Sequence, residues 1–216
     1  MSTCTEPLGT LEIQGDPYSV FVIKEGYAEA DQRGNIRADG SITLIKGPHI
    51  IMVDTGSPWD QELILQQLAS HGLQPVDVTH VICTHGHSDH VGNLNLFSDA
   101  TFLVSYDICK RDHYLAHDFK AGVSYVIDSW LEVIPTPGHT GSDISVLVRG
   151  TAQGTVVVAG DLFEREEDEG TWRELSENPG LQEANRQKVL MMADVVIPGH
   201  GPPFRVIRAS SGLTLH

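Results

Sequence analysis

Val81-Ile82-Cys83-Thr84-His85-Gly86-His87-Ser88-Asp89-His90 runs from an apolar stretch into three imidazoles and one carboxylate within six residues. The apolar part, extended back to Val78, reads as a buried strand, and the histidines fall where that strand gives way to a helix. Alternate residues of an extended segment point the same way, so His85 and His87 can share one metal ion. Asp89 and His90 turn away from it as the helix begins. Neutral imidazole is the commonest side-chain metal ligand, and this arrangement supplies two ions rather than one.

Each pole needs further donors, and the chain offers them at other strand ends. Two apolar runs, Val133-Ile134 and Val195-Val196-Ile197, each lead into Pro-Gly-His, at Pro137-Gly138-His139 and Pro198-Gly199-His200. A third, Val156-Val157-Val158-Ala159-Gly160, ends in Asp161. Loops at strand ends carry chemistry on a rigid scaffold. His85, His87, Asp89, His90, His139, Asp161 and His200 thus serve two divalent ions if one carboxylate bridges. Zinc is the expected ion, and iron or manganese also suits this donor chemistry. A lone His-x-His is usually a surface or core feature, but the full set is not explained by composition. His49, His71, His80, His113, His117 and His216 stand outside it and read as surface or loop residues.

Working outward, strands are expected at Tyr18 to Ile23, Ser41 to Ile45 and Ile50 to Val53, the last two joined by a Lys46-Gly47-Pro48-His49 turn. Gly26 to Gly40 is polar and reads as a mobile loop. Ser57, Pro58 and Asp60 resemble an N-cap, an N1 proline and a first-turn acid. They open a helix through Leu63, Ile64 and Leu68 that Gly72 closes. The second half predicts strands at Thr101 to Ser105, Ser124 to Ile127, Leu131 to Ile134, Ile144 to Val148, Thr155 to Ala159 and Val195 to Ile197. A helix from Pro179 to Ala193 is capped by Asn178. The pattern implies an α/β fold of two mixed sheets packed face to face and flanked outside by helices, an αββα sandwich forming one domain over 1–216.

Composition agrees with one ordinary globular domain: 216 residues, 40% hydrophobic and 20% charged. The only charge run is Glu164-Arg165-Glu166-Glu167-Asp168-Glu169. A formal net charge of −15 opposes long-range attraction to nucleic-acid phosphates or anionic lipid. The longest apolar run, Thr155 to Ala159, is far short of the roughly 20 residues of a membrane span. Met1 to Pro7 lacks a basic start and an apolar stretch, so no secretory signal is expected and an intracellular protein follows. Cys4, Cys83 and Cys109 match no disulfide framework or zinc motif and read as free thiols.

The residues from about Gly15 to Ile207 resemble the metallo-β-lactamase superfamily, whose αββα hydrolases bind two metals through His-x-His-x-Asp-His. Carried over, the resemblance implies that His85, His87 and His139 hold the first metal, that Asp89, His90 and His200 hold the second, and that Asp161 bridges. Asp54, in Val53-Asp54-Thr55-Gly56, matches the superfamily's first motif, where a carboxylate supports the ligands without binding metal. Metal-activated hydroxide would be the nucleophile, with Asp89 the catalytic side chain that orients the water or relays a proton.

Longer strings, among them Gly15-Asp16-Pro17-Tyr18-Ser19-Val20, Arg37-Ala38-Asp39-Gly40-Ser41 and Pro198-Gly199-His200-Gly201-Pro202-Pro203-Phe204, are similar to an animal branch of the superfamily. That similarity implies an endoribonuclease acting on the 3′ end of histone pre-mRNA, a homodimer of cytosol and nucleus, with RNA as partner. No membrane partner is expected. The residues alone leave other substrates open. One is a small anionic or acyl molecule, a thioester, lactone or ester cleaved by glyoxalase II-like chemistry. Another is single-iron sulfur oxidation of the persulfide dioxygenase kind. The superfamily's commonest β-lactamases carry cysteine where Asp161 stands, so penicillin hydrolysis is not expected. The stretch between Asp161 and His200 also lacks room for the clamp domain of RNA-cleaving relatives. Lys110, Arg111, His113, His117 and Lys120, with Arg33 and Arg37, are the basic residues available to RNA. Pro202, Pro203 and Phe204 either line the cleft mouth or fix the chain.

Overall fold

The computed structural model describes residues 3–168 and 170–208; the surface reading of His216 falls outside them. The first half contains β1 (Thr3–Pro7), β2 (Glu12–Ile13), β3 (Ser19–Lys24), β4 (Tyr27–Ala30), β5 (Ile36–Asp39), β6 (Ile42–Lys46), β7 (Ile50–Val53), α1 (Gln61–Ser70), β8 (His80–Cys83) and β9 (Thr101–Val104). The second contains β10 (Asp107–Lys110), β11 (His113–Leu115), β12 (Tyr125–Val126), β13 (Leu131–Pro135), β14 (Ile144–Thr151), β15 (Gly154–Gly160), α2 (Pro179–Met192), β16 (Val195–Pro198) and β17 (Phe204–Arg208). They form an eight-stranded sheet ordered β11-β10-β9-β8-β7-β6-β3-β2 and a seven-stranded sheet ordered β1-β17-β16-β15-β14-β13-β12.

Period-two alternation on the strands builds the layers. In β7, Ile51 and Val53 point between the sheets and Met52 points at α1; in β15, Val156 and Val158 point inward, while Val157 and Ala159 point at α2. Ile64 and Leu68 of α1 cover the eight-stranded sheet, and Val189 of α2 with Ala193 covers the other. The expected αββα sandwich is what forms. Parallel pairs β7–β8, β8–β9 and β15–β16 bring Asp54, His85, Asp161 and His200 out at one end of the molecule. There the sheets are stitched by Ile144 N–H to Thr84 O at 2.9 Å and Ser41 N–H to Gly199 O at 2.7 Å.

Three local expectations are corrected. Gly26 to Gly40 is not a mobile loop: β4 and β5 pair antiparallel from Tyr27 opposite Asp39 to Ala30 opposite Ile36. Asp31 fixes its turn by accepting the N–H groups of Arg33 and Asn35 at 2.7 and 2.8 Å. The hairpin stands outside both large sheets, so its strands bury no alternating apolar face and leave no period to read.

The α1 helix starts at Gln61 with Asp60 as N-cap, not at Ser57. The Asp60 carboxylate makes no capping bond because Lys24 Nζ, at 2.5 Å, and the Ser57 N–H, at 2.7 Å, occupy it. The Ser57 hydroxyl donates instead to Asp39 at 2.7 Å.

No α-helix opens at Asp89 and His90. The His90 carbonyl accepts the Thr55 N–H at 2.8 Å and Gly92 N–H donates to Gly56 O at 2.8 Å, so this backbone pairs with the 54–57 loop rather than with itself. A short 3₁₀ turn at Leu94–Leu96 follows.

Candidate metal centre

Each donor is delivered by the end of an element. His85 follows β8, with His87, Asp89 and His90 close behind it, His139 lies beyond β13, Asp161 follows β15 and His200 lies beyond β16, while Asp54, which supports them, follows β7. His85, His87, His139 and Asp161 form one cluster. His85 Nε2 lies 2.8 Å from His87 Nδ1 and 3.6 Å from Asp161 Oδ2. His139 Nε2 lies 3.2 Å from His87 Nδ1 and 3.3 Å from Asp161 Oδ2. Donors bonded to one tetrahedral zinc at about 2.0–2.1 Å stand about 3.3–3.4 Å apart, the spacing these atoms approach.

Asp89, His90 and His200 form the second cluster. His90 Nε2 is 3.2 Å from Asp161 Oδ1, and His200 Nε2 is 3.2 Å from Asp161 Oδ2. Asp89 Oδ2 lies 3.8 Å from both ring nitrogens. All seven sequence-predicted donors therefore converge, and Asp161 sits between the clusters. The donor chemistry fits cations: His90 Nε2 and Asp161 Oδ1 are buried with no hydrogen-bond partner.

The charges show the same demand for a cation. Burial drives His85 well below the ordinary imidazole range. At His90 burial acts in the same sense, but the Asp161 and Asp54 carboxylates outweigh it and hold the ring well above that range. His200 follows His90, raised to about 9 against burial, chiefly by Asp161. Burial opposes ionisation of Asp161, yet His90, His85 and His200 hold it well below the usual carboxylate range. Metal binding would displace these protons, because the ligating imidazoles must be neutral.

Asp54 lies beside the clusters without belonging to them. Its carboxylate accepts the Thr84 N–H at 2.7 Å and pairs with His90 Nδ1 at 2.8 Å, which aims Nε2 of that ring at Asp161. Two further rings are also oriented from behind: His200 Nδ1 lies 3.2 Å from the carbonyls of Tyr27 and Asp39, and His85 Nδ1 is 3.2 Å from Thr84 Oγ1. The hairpin thus supports His200.

Sequence reasoning missed several neighbours. Glu164, which opens the charge run, is only 6% exposed and faces His139 and His200. Its position three residues after Asp161 was the available signal. Burial, with Asp161 adding to it, pushes its carboxyl up to about 8. Asp143 accepts Gly138 N–H at 3.0 Å and Thr140 N–H at 2.7 Å, tying down the loop that carries His139. Gly40 passes so close that a Cβ would lie 2.6 Å from Asp89 O and 3.0 Å from the His90 ring.

A cleft of about 200 Å³ opens on His87, Asp89, His139, Asp161 and His200. It continues into a groove of about 270 Å³ between the hairpin and the 171–175 segment, with Ala28, Ile36 and Leu175 common to both. Arg165 is the only lysine or arginine among the described residues that line them. Arg111, by contrast, pairs with Asp99 on the surface, and Lys110 and His113 lie on the edge hairpin β10–β11. Phe204 is buried against α2's side of the sheet, and Pro202 and Pro203 line a separate depression with Leu11, so this segment fixes the chain rather than lining the cleft.

Comparison with known proteins agrees with this geometry. Residues 37–130 match the family described as the metallo-β-lactamase superfamily. A Xenopus laevis protein named metallo-β-lactamase domain-containing protein 1 is 60% identical over 207 residues, covering 94% of this chain and 88% of its own. The Homo sapiens protein of that name is 49% identical over 242 residues, covering 96% and 90%. Among solved structures AidC, described as a dizinc quorum-quenching lactonase, shares the fold with TM-score 0.63 at 17% identity, covering 96% of this chain and 98% of its own. With the two clusters at the strand ends of an αββα sandwich, these relatives establish that the chain belongs to the metallo-β-lactamase superfamily.

Proposed function

We propose that the protein is a dinuclear metal-dependent hydrolase that cuts RNA, as an endoribonuclease acting on the 3′ end of histone pre-mRNA. The observation that carries the hydrolase reading is the pair of donor clusters meeting at the buried Asp161. The RNA half rests on the resemblance of the Gly15–Val20, Arg37–Ser41 and Pro198–Phe204 strings to the animal branch. The same resemblance supports a homodimer working in cytosol and nucleus. No helix of the described residues is long and apolar enough to cross a membrane.

His85, His87, His139 and Asp161 would hold one ion and Asp89, His90, His200 and Asp161 the other. Bound divalent ions polarise a substrate oxygen and bring the pKa of a bound water toward roughly 7. The protein's own residues supply the rest. Asp89 has a partly exposed carboxylate at the cleft floor, where it would orient the attacking water and take up its proton. Ala28, Ile36, Ala38 and Leu175 give the open cleft an apolar wall against which the uncharged part of a substrate would lie.

A second reading, hydrolysis of a small thioester, lactone or ester, is favoured by that apolar wall and by the scarcity of cations around it. The readings separate when zinc-loaded protein is incubated with single-stranded RNA and with acyl-glutathione. RNA cleavage that disappears in Asp161→Ala and His90→Ala supports the endoribonuclease. Cleavage persisting in both variants marks a contaminant and removes that reading, and turnover of the thioester alone establishes the second.

A further inference from the structure

We propose that Glu164 is the positioning residue of the His85–His87–His139 cluster: its Oε1 accepts the Nδ1–H of His139 when Nε2 of that ring is engaged by a metal ion. The inference rests on the metal reading above and goes beyond it by assigning a role to a residue outside both donor clusters that the reading uses.

A metal-ligating imidazole that binds through one nitrogen carries its proton on the other, and that N–H needs an acceptor. Three of the imidazoles are provided for. His90 Nδ1 faces Asp54 at 2.8 Å, His200 Nδ1 faces two backbone carbonyls at 3.2 Å, and His85 Nδ1 faces Thr84 Oγ1 at 3.2 Å. His87 turns Nδ1 into the cluster and is itself exposed, so its remaining nitrogen reaches water. His139 is the exception: Nδ1 is buried and has no hydrogen-bond partner.

The matching acceptor stands opposite it. Glu164 Oε1 is also buried without a partner, and it lies 3.8 Å from His139 Nδ1. Two unsatisfied polar atoms facing each other across a gap about 1 Å too long are unfavourable as they stand, and a small ring rotation joins them. Glu164 is held in place for this: its carbonyl accepts the His200 N–H at 2.8 Å, and the Phe163 carbonyl accepts Gly199 N–H at 3.0 Å. The two clusters are then built alike, with Asp54 behind His90 and Glu164 behind His139.

The test uses zinc binding, followed by chelator competition, on the full chain with Glu164→Ala and Glu164→Gln. Positioning predicts a loss of about 10- to 100-fold in affinity at one of two sites in Glu164→Ala. Glu164→Gln, whose amide oxygen still accepts, should lose less. Cobalt substitution should show an altered d–d spectrum for that site alone. Equal losses in the two variants, or equal losses at both sites, would show a charge effect and overturn the proposal, as would affinities within twofold of the parent chain. A crystal structure of the zinc-loaded parent chain is independent of variant folding. It should place Oε1 about 2.7–2.9 Å from Nδ1; a separation remaining above 3.5 Å, or Glu164 bonded to zinc, overturns it. Failure of the parent chain to bind zinc, iron or manganese would remove the metal reading itself.

Discussion

Asp54 Oδ2 lies 2.8 Å from His90 Nδ1, and both side chains are almost wholly buried. Asp54 holds this contact from a left-handed backbone conformation, φ +59°, immediately after β7. A residue other than glycine in that region is sustained by its surroundings, here the hydrogen bonds to Thr84 and His90.

Replacing Asp54 with Ala should therefore weaken metal binding at the His90 cluster by about 10- to 100-fold. The readout is metal per chain after dialysis against graded chelator. Asn keeps the volume and tolerates positive φ, so Asp54→Asn should fold more stably than Asp54→Ala while still losing affinity.

Gly199 backs directly on the shared carboxylate, and a Cβ there would overlap Asp161 Oδ1. Gly199→Ala forces Asp161 to move and should lower metal content at both clusters, not one. Circular dichroism should show the sandwich retained, because the overlap lies at the strand ends rather than in the core.

Lys24 reaches Asp39 at 2.6 Å and Asp60 at 2.5 Å, tying the end of the hairpin to the start of α1. Burial raises the Asp39 carboxyl, but hydrogen bonds from Lys24 and Ser57 outweigh it and hold the group below its ordinary value. Lys24→Met leaves two buried carboxylates without their cation and should cost about 3–5 kcal/mol in denaturant unfolding. Adding Asp60→Asn should recover part of that loss.

His80, expected at the surface or in a loop, instead opens strand β8 half-buried, and this burial, reinforced by the charges of His49 and Lys110, lowers it from 6.5 to about 4. Between those values the unfolded chain takes up a proton that the folded chain excludes. Its contribution to stability is intact above pH 6.5 and is lost as pH falls toward 4. His80→Gln should flatten the decline of the thermal midpoint over that window, measured against the parent chain; an unchanged slope would refute the assignment.

The sequence alone determined the donor chemistry and most of the frame. The continuous apolar runs Ile50-Ile51-Met52-Val53, Val81-Ile82-Cys83, Val156-Val157-Val158-Ala159 and Val195-Val196-Ile197 mark short strands buried on both faces, and the donors lie just beyond such runs. Asn178 as a cap was equally local, and it accepts Leu181 N–H in the structure. Tertiary structure decided what depends on partners distant in the chain. His90 enters no helix because Thr55 takes its carbonyl, and Ser57 is no cap because Asp39 takes its hydroxyl. The polar 26–40 segment becomes a hairpin behind His200, and the first acid of a charge run becomes a buried neighbour of His139. Local pattern encodes period and caps through neighbours a few residues apart. The meeting of His85, His139, Asp161 and His200 instead follows from how the two sheets pack and from backbone bonds such as Thr84 to Ile144 and Ser41 to Gly199, which no local window contains.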